Sequence, residues 1–144
     1  QVAASPAPVA ATRSGAPKRA SGGAVSLTPD GRGHYFAPIE INGRVARMMV
    51  DTGASIVALS AEDARRFGVI VPHNAPMARI STANGVVTAP RLRLAEVRLD
   101  TIVVRDVEAT LLPEDVRSHS LLGISFLGKL SGFQVADGEL LLKP

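Results

Sequence analysis

The chain has 144 residues, 46% of them hydrophobic but only 3% aromatic. This suits one domain with an aliphatic core and leaves few stacking surfaces for nucleic-acid bases. The net charge of +3 sits in residues 1–28, where Arg13, Lys18 and Arg19 have no acidic counterpart; the other 13 basic and 13 acidic residues cancel, so no clustered basic face for nucleic acid is expected, and three charges fall short of a lipid-binding cluster. Without cysteine there is no disulfide framework and no thiolate chemistry. His34, His73 and His119 lack the i, i+4 spacing of a helical metal site, which leaves them as surface or loop residues.

Residues 1–28 are rich in Ala, Pro, Ser and Gly and show no apolar period, so they read as a disordered linker. Gly22-Gly23 within it lacks the following Lys-Ser/Thr of a phosphate loop. No run approaches the ~18 apolar residues of a spanning helix. Because the chain starts at Gln1 and not Met, a signal or membrane anchor is expected ahead of it, with the Ala/Pro stretch as tether. A tether of this kind would place the domain in the periplasm or anchored to the inner membrane, outside the cytoplasm; a spacer between domains fits the same composition equally.

The folded domain is expected over residues 29–144, opening at the Pro29-Asp30-Gly31 turn. Residues 34–41 and 44–50 flank Asn42-Gly43, the two-residue signal of a tight hairpin. Its second strand runs into Asp51-Thr52-Gly53-Ala54-Ser55, and Ile56 to Leu59 returns the chain to apolar surroundings. An aspartate delivered there is partly desolvated, which is costly unless it is hydrogen-bonded or shares a proton. Thr52 and Ser55 put hydroxyls beside it, and Gly53, without a Cβ, lets backbone N–H groups approach.

Ser60 then predicts a helix N-cap, with Glu62 and Asp63 as first-turn charges and Gly68 as the stop. From Met77 to Thr110 apolar and charged residues alternate as in half-buried antiparallel strands, with Asn84-Gly85 at a hairpin tip. Residues 113–116 read as a short helix or turn. Leu121-Leu122-Gly123 precedes the helix-like 124–127 segment, and Asp137-Gly138 turns a second tight hairpin over 133–142.

Three of these segments, in this order, resemble the aspartic proteases. Met49-Val50-Asp51-Thr52-Gly53-Ala54-Ser55 looks like the active-site loop. Ser81-Thr82-Ala83-Asn84-Gly85-Val86 lies in a stretch that looks like the flap. Leu121-Leu122-Gly123 resembles the segment that passes under the catalytic loop. With a single Asp-Thr-Gly, the chain is similar to the retropepsin-like, half-length branch, in particular its bacterial single-domain members. The resemblance implies a mostly β, closed-barrel fold with one or two short helices, and an aspartic endopeptidase that acts on protein or peptide substrates without a cofactor. It implies a homodimer in which Asp51 of each subunit meets on the two-fold axis, Thr52 braces the pair, Gly53 donates a backbone hydrogen bond to the carboxylate, and an extended peptide lies under the flap. Many retropepsins carry Arg after the Gly of the second motif and Asp after Asp-Thr-Gly-Ala; here those positions are Ile124 and Ser55, so that ion pair is not encoded. The alternative reading is a protease-like module that binds peptides or dimerises without cutting; a membrane-surface adaptor using the basic tail is the third.

Overall fold

Turn chemistry sets the first hairpin. In this computed structural model, which describes residues 16–82, 85–114 and 119–144, Asn42 and Gly43 both take positive φ, 55° and 77°. Two successive left-handed residues make the tight turn that matches strand twist. The strands it joins, Phe36–Ile41 and Arg44–Val50, pair antiparallel from Ile41↔Arg44 to Phe36↔Met49.

In chain order the strands are β1 (Lys18–Arg19), β2 (Val25–Leu27), β3 (Phe36–Ile41), β4 (Arg44–Val50), β5 (Val57–Leu59), β6 (Met77–Thr82), β7 (Gly85–Leu99), β8 (Ile102–Leu111), β9 (Leu121–Leu122), β10 (Gly132–Ala136) and β11 (Glu139–Lys143). Helix α1 spans Ala61–Phe67 and α2 Ile124–Leu127. The larger sheet has the order β3-β4-β9-β5-β8-β7-β6, and β7 also pairs with β3 through Glu40↔Arg98. Six strands therefore return on themselves through a one-pair seam, while β6 hangs from β7 as an outlying hairpin. The fold is mostly β with two short helices, as expected. Inward residues of these strands form an aliphatic core with Phe67 and Phe126; Ile39, Met48, Leu59, Val97 and Ile102 among them are at most 1% exposed.

Helix α1 has the predicted boundaries. Ser60 accepts the Asp63 N–H at 3.1 Å, and Gly68, in the left-handed region at φ 70°, closes the C-terminus. The hairpin turn also caps this end from outside: Asn42 Nδ2 donates to the Phe67 carbonyl at 3.0 Å and Arg44 Nη1 to the Arg66 carbonyl at 3.1 Å. The Pro29-Asp30-Gly31 turn forms too, with Asp30 Oδ1 accepting the Arg32 and His34 N–H groups at 2.9 Å each. Those bonds, chiefly the one from His34, hold the Asp30 carboxyl below its ordinary pKa. Among the described residues no helix is long and apolar enough to cross a membrane.

One expectation is corrected. The disordered linker predicted through residue 28 lies outside the described residues over 1–15, but residues 16–28 are folded. β2 pairs antiparallel with β11 through Val25↔Leu142, Ser26↔Leu141 and Leu27↔Leu140, and β1 pairs with β2. Val25 and Leu27 are fully buried. Three residues of alternation are too few to register as a period, yet burying those two side chains contributes about 1.5–3 kcal/mol each, enough to order a short segment beside a ready-made edge. A four-stranded sheet, β1-β2-β11-β10, results.

Glu139 fastens this strap. Its Oε1 accepts from Ser26 Oγ at 2.6 Å, its Oε2 lies 3.4 Å from Thr28 Oγ1, and Lys18 Nζ is 3.8 Å away. The Ser26 hydroxyl and then the Lys18 ammonium hold its carboxyl below the ordinary value. A carboxyl depressed in the folded state contributes stability above its unfolded-state pKa, and loses it as pH falls through the lower folded value. Intrinsic-rate-corrected amide exchange at Val25–Leu27 is therefore expected to quicken on acidification below the usual carboxylate range, and Glu139→Gln to flatten that dependence. Leu27→Ala should lower stability by about 3 kcal/mol, read as the denaturation midpoint in urea.

Candidate active site

Asp51 stands one residue past the end of β4, half-buried, with its position set from both sides by backbone. The preceding strand is fixed by Val50 N–H to the Tyr35 carbonyl at 2.8 Å and Met49 N–H to the Ser120 carbonyl at 2.9 Å. The Asp51 N–H itself donates to the Leu122 carbonyl at 3.2 Å, and its carbonyl accepts the Ala54 N–H at 3.2 Å, closing a tight turn.

The carboxylate is held asymmetrically. Oδ1 accepts the Gly53 N–H at 2.8 Å. A Cβ on Gly53 would come within 3.1 Å of that same oxygen, so glycine keeps the approach open. Oδ2 is buried and, among the described residues, has no hydrogen-bond partner. A buried polar oxygen left unpaired costs about 1–3 kcal/mol, more when charged, so Oδ2 stands out as a group with bonding capacity to spare. Thr52, Gly53 and Ser55 are exposed around it, and Ala54 is fully buried beneath.

The second predicted segment lies directly behind this loop. β9 runs parallel to β4 (Met49↔Leu121, Val50↔Leu122) and antiparallel to β5 (Ala58↔Leu121), so Leu121-Leu122 is threaded between the strands that enter and leave the Asp51 loop. Gly123 follows where nothing larger fits: a Cβ there would lie 2.7 Å from the Ala54 carbonyl oxygen and closer still to that of Ile56. Ile124 N–H then donates to the Ala54 carbonyl at 2.9 Å and Ser125 N–H to the Ser55 carbonyl at 3.0 Å. Ser125 Oγ accepts the Val57 N–H at 2.9 Å and donates to the Glu108 carbonyl at 2.6 Å. At the two positions where an ion pair is not encoded, Ser55 and Ile124, neutral backbone bonds join loop to helix instead.

The hairpin predicted as a flap is β6–β7, paired from Met77↔Pro90 to Thr82↔Gly85. Its tip residues Ala83 and Asn84 lie outside the described residues; Gly85 takes φ 108°, Ser81 and Gly85 are exposed, and Val86 is 56% exposed. Its outer part is joined to the Asp51 loop. Ser55 N–H donates to the Ser81 carbonyl at 3.2 Å, and Ile56 packs with Ile80 and Ala89 in a small apolar cluster. The three sequence segments thus converge on one place. Of the predicted 113–116 turn, Asp115 and Val116 lie outside the described residues.

These features coincide with those of a known family. Residues 37–129 match the family model described as "gag-polyprotein putative aspartyl protease". The chain is a member of the retropepsin-like aspartic proteases. It is 30% identical to the crystal structure of a retropepsin-like aspartic protease from Rickettsia conorii, with a TM-score of 0.69 over 83% of this chain and 89% of that one. Two curated proteins of unassigned role are similar as well. One from Sinorhizobium sp., in the cobV 5′ region, is 35% identical over 77% of this chain and 48% of its own length. The other, RP867 of Rickettsia prowazekii, is 30% identical over 83% of this chain and 51% of its own. The chain spans about half the length of these curated relatives.

Sequence reasoning missed one cluster at this retropepsin-like site. Ser120, 1% exposed, donates a hydrogen bond to Asp63 Oδ2 and accepts the Ser60 N–H at 2.9 Å. Asp63 was readable only as a helix-terminal charge, because nothing in sequence brings residues 63 and 120 together. The three histidines lie in loops and are exposed, and among the described residues no group of three or more His, Asp or Glu side chains could hold a metal. Gly123→Ala forces the loop carbonyls apart and should cost about 3 kcal/mol or more, measurable as a lowered urea midpoint.

Proposed function

We propose that this chain is an aspartic endopeptidase whose working form is a homodimer, with Asp51 of each protomer contributing one carboxyl to a shared dyad. Asp51 Oδ2, buried and without a hydrogen-bond partner among the described residues, carries the reading. Peptide hydrolysis by carboxylates needs one group ionised to take a proton from water and one protonated to polarise the scissile carbonyl. One chain of this length supplies a single Asp-Thr-Gly. A two-fold related copy is the economical source of the second carboxyl, because a symmetric interface places the same residue from each protomer at the axis.

Two carboxyls so close share one proton and titrate as a pair, the behaviour of aspartic protease dyads, and activity then peaks on the acid side of neutrality. In this reading the Gly53 N–H supports the ionised member of the pair. An extended stretch of protein substrate lies between the dyad and the β6–β7 hairpin, which closes over it; main-chain hydrogen bonds give affinity and side-chain pockets give selectivity. The backbone link from Ser55 to Ser81 supports this, since it brings the outer part of the hairpin against the loop that carries Asp51.

Asp51→Asn should reduce peptide cleavage at mildly acid pH by roughly 10³-fold while leaving the fold intact. Equal amounts of wild type and variant, allowed to exchange subunits, should retain about a quarter of the activity of a pure wild-type sample of the same total concentration, because mixed dimers lack one carboxyl. A value near one half would show that each protomer works alone. Unaltered cleavage by Asp51→Asn would favour the peptide-binding module, to which the unencoded ion pair at Ser55 and Ile124 lends support.

A further inference from the structure

The register of β9 decides where Asp51 sits, yet β9 is only two residues long and meets its two neighbours, β4 and β5, through three residue pairs. So short a strand does not fix its own register, and a slip of one residue would turn Leu122 away from the core. Something outside it must hold it. The residue just before β9 is Ser120, whose carbonyl accepts the Met49 N–H at 2.9 Å; two residues on, the Leu122 carbonyl accepts the Asp51 N–H at 3.2 Å.

The Ser120 side chain is saturated with bonds from one direction. Its hydroxyl donates to Asp63 Oδ2, its oxygen accepts the Ser60 N–H at 2.9 Å, and it lies 3.3 Å from Ser60 Oγ. The Asp63 N–H in turn donates to Ser60 Oγ at 3.1 Å. The N-terminus of α1 thus grips Ser120 by one carboxylate and one amide. A hydrogen bond to a carboxylate is about twice as strong as a neutral one, and the burial of Ser120 limits competition from water on its side of the pair.

We infer that Asp63 is a positioning residue for Asp51, acting through Ser120 and β9. This rests on the reading of Asp51 as the catalytic carboxyl. The path is continuous: the Asp63 carboxylate fixes Ser120, Ser120 sets the register of β9 against β4, and β9 holds the Asp51 amide and, through Gly123, the floor of its loop. A first-turn carboxylate whose only duty were to complement the helix dipole would point to solvent and leave Ser120 alone.

The test compares Asp63→Ala, the isosteric Asp63→Asn, Ser120→Ala and the double variant in the full chain. Asp63→Ala should lower kcat about tenfold with KM unchanged within about twofold, since a misplaced catalytic group costs rate more than binding. Asp63→Asn, whose amide oxygen still accepts from Ser120, should recover most of that loss. Ser120→Ala should match Asp63→Ala, and the double variant should be no worse than either single one. Amide exchange at Met49 and Asp51 should speed up about tenfold in Asp63→Ala, with Ile39 as an unaffected reference. Faster exchange confined to the amides of α1, or a kcat that stays at the wild-type value, would overturn the inference and leave Asp63 as a helix cap. If Asp63→Ala does not fold, Ser120→Ala with unaltered exchange at Met49 and Asp51 does the same. The exchange readout needs no activity, so a chain that cuts no peptide would defeat the protease reading while the positioning path is still decided.

Discussion

The architecture depends on one crowded contact, the passage of Leu121-Leu122-Gly123 between β4 and β5. Two leucines fill the space behind the Asp51 loop, at most 2% exposed, and the glycine after them lies against the carbonyls of Ala54 and Ile56 with no room for a Cβ. Interiors packed to crystal density transmit such constraints without slack. The loop that bears Asp51 is therefore held by backbone from below. Its floor is β9 and the first turn of α2, and its own ends are β4 and β5.

The asymmetry of the Asp51 carboxylate follows from that support. A rigid floor lets Gly53 present its N–H to Oδ1 at a fixed 2.8 Å, while Oδ2 is buried without a bond among the described residues. Stored cost of this kind persists where the surrounding structure over-determines the geometry, and it clusters at functional sites. The β6–β7 hairpin belongs to the same unit. β7 runs unbroken from the hairpin into the body of the sheet, pairing first with β6 and from Arg91 onward with β8, so the hairpin is carried on a strand anchored in the core.

The second sheet solves a different problem. β11 adds to the domain only if something covers its far edge and its inward leucines, Leu140 and Leu142. The strap from Val25 to Leu27 does both, with Glu139 fastening it, and so the segment before the Pro29 turn becomes part of the fold. An exposed edge is a template for unwanted pairing, which gives this covering a physical rationale beyond stability.

Much was written locally. Asn42-Gly43 and Asp137-Gly138 announced their hairpins because left-handed backbone favours those residues, and each pair does take positive φ. Ser60 and Gly68 marked both ends of α1 because orphan helix groups need those partners. The ordered set of Asp51-Thr52-Gly53, the alternating hairpin and Leu121-Leu122-Gly123 identified the family because close backbone approach tolerates few substitutions. Tertiary structure alone decided three other matters. It made residues 16–28 part of the domain, since three alternating residues gain their stability only from a neighbouring edge. It made a charge in the first turn of α1 the partner of a serine 57 residues away. It also left one oxygen of Asp51 buried without a bond among the described residues, a property of the space around a side chain that no local pattern of residues encodes.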